Sequence, residues 1–199
     1  MRLERFAKMR KIKKLFILCK LIINDYGIFL NDGKDLLHRP GDFKAYGKEV
    51  AIRPPTIISY KEDIILQDRV RIQDGCHIVA KGGLFIGENT TISSRCMIFT
   101  ITPKVYEGWP AIRDVGYDER PIHIGRNVFI GAGACICPGA NIGEGAIIGM
   151  GSVVSGNIPR LAVAVGNLAK VIKYRDETFY LNHMATASIA DSDHLGNTD

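Results

Sequence analysis

The chain has 199 residues, 46% hydrophobic and 24% charged, which suits one soluble domain with short appendages and not a disordered or fibrous protein. Its net charge of +5 sits in one arm: Arg2, Arg5, Lys8, Arg10, Lys11, Lys13, Lys14 and Lys20 face Glu4 alone, and the remainder is slightly acidic. No basic face interleaved with aromatics follows, which argues against nucleic-acid binding, and the five cysteines show neither zinc-ligand spacing nor a CxxC pair.

Residues 4–24 read as an amphipathic helix. Phe6, Met9, Ile12, Leu15 or Phe16, Cys19 and Ile22 recur at spacings of three and four, with basic residues between them. Such a helix either caps an open end of the fold or lies on an anionic lipid surface, giving peripheral membrane contact. The apolar run Leu15 to Ile23 is interrupted by Lys20, is too short to span a bilayer and lacks a small-x-small cleavage site. A cytoplasmic protein is the expectation. Residues 25–48 are turn-rich, with Asn31-Asp32-Gly33 and His38-Arg39-Pro40-Gly41.

The next segment carries a period. From Ile124 an aliphatic residue returns at every sixth position, at Ile130, Ile136, Ile142, Ile148 and Val154. Glycine follows at Gly125, Gly131, Gly143 and Gly149, and a small residue stands four places on, at Val128, Ala134, Ala140, Ala146 and Ser152. Neither a helix nor an ordinary strand pair holds such a period, whereas a coil of short stacked strands does. Ile64, Ile72, Ile78, Ile86, Ile92 and Ile98 extend the inward positions upstream less regularly, with Lys81-Gly82-Gly83 as a turn that breaks the register. Cys76 and Cys96 fall in the small slot, as buried thiols of a reducing compartment. The prediction is an all-β coil over 49–170, about five turns of roughly 18 residues. A cap segment (1–48) precedes it; a short C-terminal helix and a disordered polar tail (171–199) follow.

One interruption, residues 102–121, contains Trp109, Asp114, Tyr117, Asp118 and Glu119. Long insertions in repeat scaffolds are usually functional, and Trp109, Asp114 and Tyr117 are the expected substrate-binding residues. The same loop also suits an arm that clasps a neighbouring subunit.

The stretch IGRNVFIGAGACICPGANIGEGAIIGMGSVVSGNIP, followed by VGNLAKVIK, resembles the signature of the hexapeptide-repeat acetyltransferases. IQDGCHIVAKGGLFIGENTTI extends the likeness, closest to members that acetylate sugars of surface polysaccharides. The resemblance implies a left-handed parallel β-helix acting as a homotrimer, with acetyl-CoA as co-substrate and a sugar or lipid-linked saccharide as acceptor. Carried over position by position, Ala132 and Met150 would meet pantetheine through main chain, Ser155 would lie near the nucleotide, and Lys170 and Lys173 would meet phosphates. Met150 is larger than the family's usual alanine, and Gly156 replaces the lysine that usually follows Ser155.

The family's catalytic histidine stands just before the loop. Here that stretch reads IFTITPK, with Thr102 or Pro103 at the position, and neither accepts a proton near neutral pH. His123 just after the loop is the expected substitute base. His77 one coil earlier and the carboxylates Asp114, Asp118 and Glu119 are the alternatives. A trimeric scaffold that has lost its base is the competing reading. A zinc site of the carbonic-anhydrase type would need three histidines in one constellation, which His77 and His123 alone do not form.

Overall fold

The computed structural model describes residues 38–104 and 116–182. The expected N-terminal helix, Trp109, Asp114 and the polar tail lie outside these residues.

The described chain is a left-handed parallel β-helix. Its first coil holds β1 (Ala45–Tyr46), β2 (Ala51–Ile52) and β3 (Ile57–Ser59), and its second β4 (Ile64–Leu66), β5 (Arg71–Ile72) and β6 (His77–Val79). The third holds β7 (Leu84–Ile86), β8 (Thr91–Ile92) and β9 (Met97–Phe99). The insertion then begins with β10 (Ile101–Pro103) and ends with β11 (Tyr117–Glu119). Coil four resumes with β12 (Ile122–Ile124), β13 (Phe129–Ile130) and β14 (Cys135–Ile136). Coil five is β15 (Asn141–Ile142), β16 (Ile147–Ile148) and β17 (Val153–Val154). A partial sixth has β18 (Asn157–Ile158) and β19 (Ala162–Val165), and β20 (Lys170–Tyr174) closes the chain of strands.

These stack into three walls. Sheet 1 runs β1-β4-β7-β12-β15-β18, sheet 2 runs β2-β5-β8-β13-β16-β19-β20, and sheet 3 runs β3-β6-β9-β14-β17. The coil therefore begins at Ala45, inside the segment expected to be a cap. The first corner of each coil joins sheet 1 to sheet 2, the second joins sheet 2 to sheet 3, and the third leads back to sheet 1.

The repeat chemistry follows from that stacking. The inward isoleucines at 72, 78, 86, 92, 98, 124, 130, 136, 142 and 148 are all at most 1% exposed and form one continuous core. A methyl group on Gly131 would sit 2.6 Å from the Met150 nitrogen, and one on Gly143 would sit 2.5 Å from the Arg160 nitrogen. The glycines at these two corners are thus required by the backbone of the next coil, whereas Cys137 and Ser155 follow Ile136 and Val154 where sheet 3 ends. The small slot is fully enclosed and, where polar, ties coils together. Thr90 Oγ1 donates to the Gly125 carbonyl at 2.8 Å and accepts from the Val128 amide at 3.1 Å. Ser152 Oγ accepts from the Gly166 amide at 3.1 Å.

Sheet 1 explains why the six-residue period is clean only from Ile124 onward. In β4, β7 and β12 both end residues point inward: Ile64 with Leu66, Leu84 with Ile86, and Ile122 with Ile124. The wall is two residues wider there, whereas β15 and β18 have one inward residue each.

The closing segment differs from expectation. Residues 170–174 form β20, antiparallel to β19, with Val163 opposite Lys173 and Val165 opposite Lys170. The helix starts only at 177 and runs through 182 among the described residues. Val171, Ile172 and Tyr174 suit a strand, and β20 covers the edge that β19 would otherwise leave unpaired. Asp176 caps the helix, its Oδ1 accepting from the Phe179 amide at 2.6 Å. Tyr180, 4% exposed, anchors the helix on the first corner. Its hydroxyl donates to Glu144 at 3.0 Å and accepts from Asn127 at 3.1 Å, while the Arg175 guanidinium lies 4.9 Å from its ring centre.

Two outcomes follow from this packing. Ile136→Ala should cost about 2–5 kcal/mol of unfolding free energy in a denaturant titration, because the stacked neighbours cannot collapse into the void. Burial, and then the Glu144 carboxylate, raise the Tyr180 phenol above its ordinary value. The folded state therefore holds this proton more tightly than the unfolded chain. Stability present below pH 10 declines as pH rises through the unfolded value toward the folded one. Tyr180→Phe should shallow that alkaline decline, measured as melting temperature against pH.

Candidate active site

The second corner forms a continuous exposed track along the coil. The Arg95 amide donates to the Asp74 carbonyl at 2.9 Å, Gly133 to Ser94 at 3.0 Å, and Gly151 to Ala132 at 2.9 Å. Each corner thus sits directly on the one below. Gly133 and Gly151 take positive φ of 69° and 63°, and a methyl group on either would meet nothing within 4 Å. Their glycine requirement is conformational, and the space outside the turn is open. Ala132 is exposed and Met150 is 81% exposed, so the track presents backbone and one uncovered thioether.

Lys170 closes the upper end. It follows the turn 166–169, whose Ala169 amide donates to Val153 on sheet 3 at 2.8 Å, and it stands opposite Val165. Ala132, Met150 and Lys170 therefore gather on one corner. Ser155 lies at the third corner, across β17, and Lys173 lies on the sheet 2 side opposite Val163. At the lower end, Ser94 Oγ donates to Asp74 Oδ1 at 2.8 Å. Sequence reasoning missed this pair. The signal was a twenty-residue offset, one coil of the wider lower half.

Sheet 3 walls one side of the track with an outward column of Ile57, His77, Met97, Cys135 and Val153. His77 is exposed, with its ring edge against Phe99 at 5.1 Å between centres. His123 lies on another wall. It is exposed on sheet 1 between Phe85 and Asn141, stacked on the Phe85 ring at 4.5 Å and 7°.

The two ends of the insertion meet. Thr102 pairs with Asp118, Pro103 with Tyr117 and Ile101 with Glu119 in an antiparallel ribbon. Its root is at the third corner, where the Arg120 amide donates to the Thr100 carbonyl at 2.9 Å. Tyr117 is 52% exposed there. Asp118 meets Arg120 at 3.1 Å and Glu119 meets Lys81 at 2.8 Å. The Glu119 carboxylate beside Lys81 raises that ammonium above its usual value. Both described loop carboxylates thus face cations. Among the described residues no group of three or more His, Cys, Asp or Glu is placed to hold a metal.

A family model described as bacterial transferase hexapeptide (six repeats) matches residues 121–156. This segment is similar to the transferase hexapeptide repeat. Among curated proteins no sequence matches the chain. Solved structures do. A maltose O-acetyltransferase from Clostridium difficile 630 is 29% identical at TM-score 0.63, over 69% of this chain and 72% of that one. A galactoside acetyltransferase in complex with coenzyme A is 28% identical at TM-score 0.59, over 66% and 67%. AntD, an N-acyltransferase from Bacillus cereus, shares the fold at 22% identity and TM-score 0.58, over 75% and 93%.

The thiols beside this site separate by burial. Cys76 and Cys96 are buried and donate to the Ser93 and Gly131 carbonyls at 3.2 and 3.3 Å. The neighbouring Cys76, together with burial, pushes the Cys96 thiol up. Cys135 and Cys137 are partly exposed. Iodoacetamide at neutral pH should label the latter two in the native protein and leave Cys76 and Cys96 free until unfolding, read by peptide mass spectrometry.

Proposed function

We propose that the protein transfers an acetyl group from acetyl-CoA to a sugar hydroxyl or amine, in the synthesis of a surface polysaccharide. The observation that carries this is the second corner. An open main-chain track past Ala132 and Met150 suits the amide-rich pantetheine arm, and Lys170 at its upper end suits a phosphate. The likeness to a maltose O-acetyltransferase and a galactoside acetyltransferase, both above 25% identity, supports the same reading.

A neighbouring copy completes the site in this proposal. The track lies on the second corner and the insertion springs from the third, with sheet 3 between them. Two copies set second corner against third would bring Tyr117 and the loop, with Trp109 and Asp114, toward the CoA track. Repeated around a closed ring, this heterologous contact gives a homotrimer. The basic segment 1–20 would hold the assembly at the cytoplasmic membrane face, where lipid-linked saccharides are presented. Ser155 and Lys173, on either side of the corner, would serve the nucleotide end.

The substitution at Thr102 and Pro103 favours a second reading, a trimeric CoA-binding scaffold without turnover. Transfer to maltose or a p-nitrophenyl galactoside separates the two, since a scaffold binds acetyl-CoA and transfers nothing. Calorimetry tests the common part. Lys170→Ala should weaken acetyl-CoA binding about 5- to 10-fold, the loss of one exposed charge–phosphate contact of about 1 kcal/mol. A folded protein that binds no acetyl-CoA would sink both readings.

A further inference from the structure

Resting on the transferase reading, we infer that His77 is the general base, taking the place of the histidine that the loop lacks. Three described residues are histidines. His38 lies in the first coil with Nε2 3.1 Å from the Thr56 carbonyl. His123 is on sheet 1, with the third corner and the whole of sheet 3 between it and the track of its own chain. His77 is the first outward residue after the second corner in its coil, following exposed Asp74 and Gly75 and buried Cys76.

A thioester entering beside Lys170 and running down past Met150 and Ala132 meets the Ser94–Asp74 pair at its lower end, with His77 alongside. Successive coils are about 4.8 Å apart, so the Ala132 corner stands about 10 Å above the His77 coil, within reach of a linear acyl-pantetheine. The strands packed against β6 place Ile57 and Met97 beside His77, and Phe99 meets its edge; none of these titrates. The charged groups of the adjoining corners are Arg53, Asp74 and Arg95 at the second, and at the third Lys61 paired with Asp42, Lys81 with Glu119 and Arg120 with Asp118. The ring is held by packing and open to solvent on its outer side.

The step balances without a further reactant. The His77 imidazole takes the proton of the acceptor hydroxyl as that oxygen attacks the thioester carbonyl. The tetrahedral adduct collapses with cleavage of the C–S bond, and the imidazolium returns the proton to the departing sulfur. The products are the acetyl ester and free CoA thiol, with neutral His77 regenerated.

The test compares wild type, His77→Gln and His123→Gln, with acetyl-CoA binding by calorimetry and transfer to maltose and p-nitrophenyl galactoside. His77→Gln should bind acetyl-CoA as wild type does while kcat falls about 100-fold or more, and the acid limb of the kcat/KM profile should disappear. An acceptor-independent arm follows carbethoxylation of His77 by diethyl pyrocarbonate, which acetyl-CoA should slow in the wild type. Binding without protection of His77 overturns the inference, as does transfer within about 3-fold of wild type in His77→Gln. Loss of transfer in His123→Gln alone gives the proton to His123. Absence of acetyl-CoA binding in the wild type removes the transferase reading, and this assignment with it.

Discussion

The structure depends on the close approach of one coil's backbone to the next. Parallel strands about 4.8 Å apart leave no room for a side chain where Gly131 passes the Met150 nitrogen or Gly143 passes Arg160. That single distance dictates glycine at Gly87, Gly125, Gly131 and Gly143, where a methyl group would meet the backbone of the next coil, and it favours a small residue in the enclosed slot beyond. It also stacks like upon like, since each inward isoleucine rests on the one below at the same register. Cohesion is therefore local along the axis, each coil adding its layer to the continuous core by packing on its two neighbours. The ends need separate treatment, which β20 and the Tyr180 anchor provide at the upper one.

A scaffold built this way confines variation to corners and outward columns. Inward positions are fixed by volume, and the ladder carbonyls and amides are consumed between coils. The second corner then offers a ready track for an extended ligand, because its turns repeat at one coil spacing and Gly133 and Gly151 leave the outside bare. The third corner absorbs length. It can open into the insertion because β10 pairs with β11 and returns the chain to sheet 1 without disturbing either wall.

Much of this was legible in residues alone, for a physical reason. A six-residue period is a direct image of a three-sided coil, and an eighteen-residue step puts Ala132 under Met150 on one corner. The lower coils were read less well, because the second inward residue of β4, β7 and β12 lengthens each turn and shifts every later offset. The Asp74–Ser94 pair was hidden by that shift. The wall on which a histidine lands was equally hidden, since it depends on how many residues the preceding corner spends. His123 follows a long insertion, so only the ribbon's return path fixes it on sheet 1. The helix expected within 171–199 begins only at 177, because the edge of β19, which recruits 170–174 as a strand, is a property of the finished coil.

Among the described residues, the root of the insertion holds carboxylates and cations and no histidine. Thr102 faces Asp118 across the ribbon, and the neighbouring pairs Asp118–Arg120 and Glu119–Lys81 are about half exposed. Ion pairs so exposed contribute about 0–1 kcal/mol to stability, too little to account for two of them on adjacent residues by folding alone. Their effect is geometric, holding carboxylates and cations at fixed places beside Tyr117 where the chain leaves the coil. Such a root offers a polar acceptor carboxylate oxygens that accept hydrogen bonds and cations that donate them. With His77 as the proposed base, acceptor binding at the loop root and proton transfer at the sheet 3 wall would fall to different parts of the coil. A solenoid permits that division, since the second-corner and third-corner ends of sheet 3 are fixed by the same stacked strands.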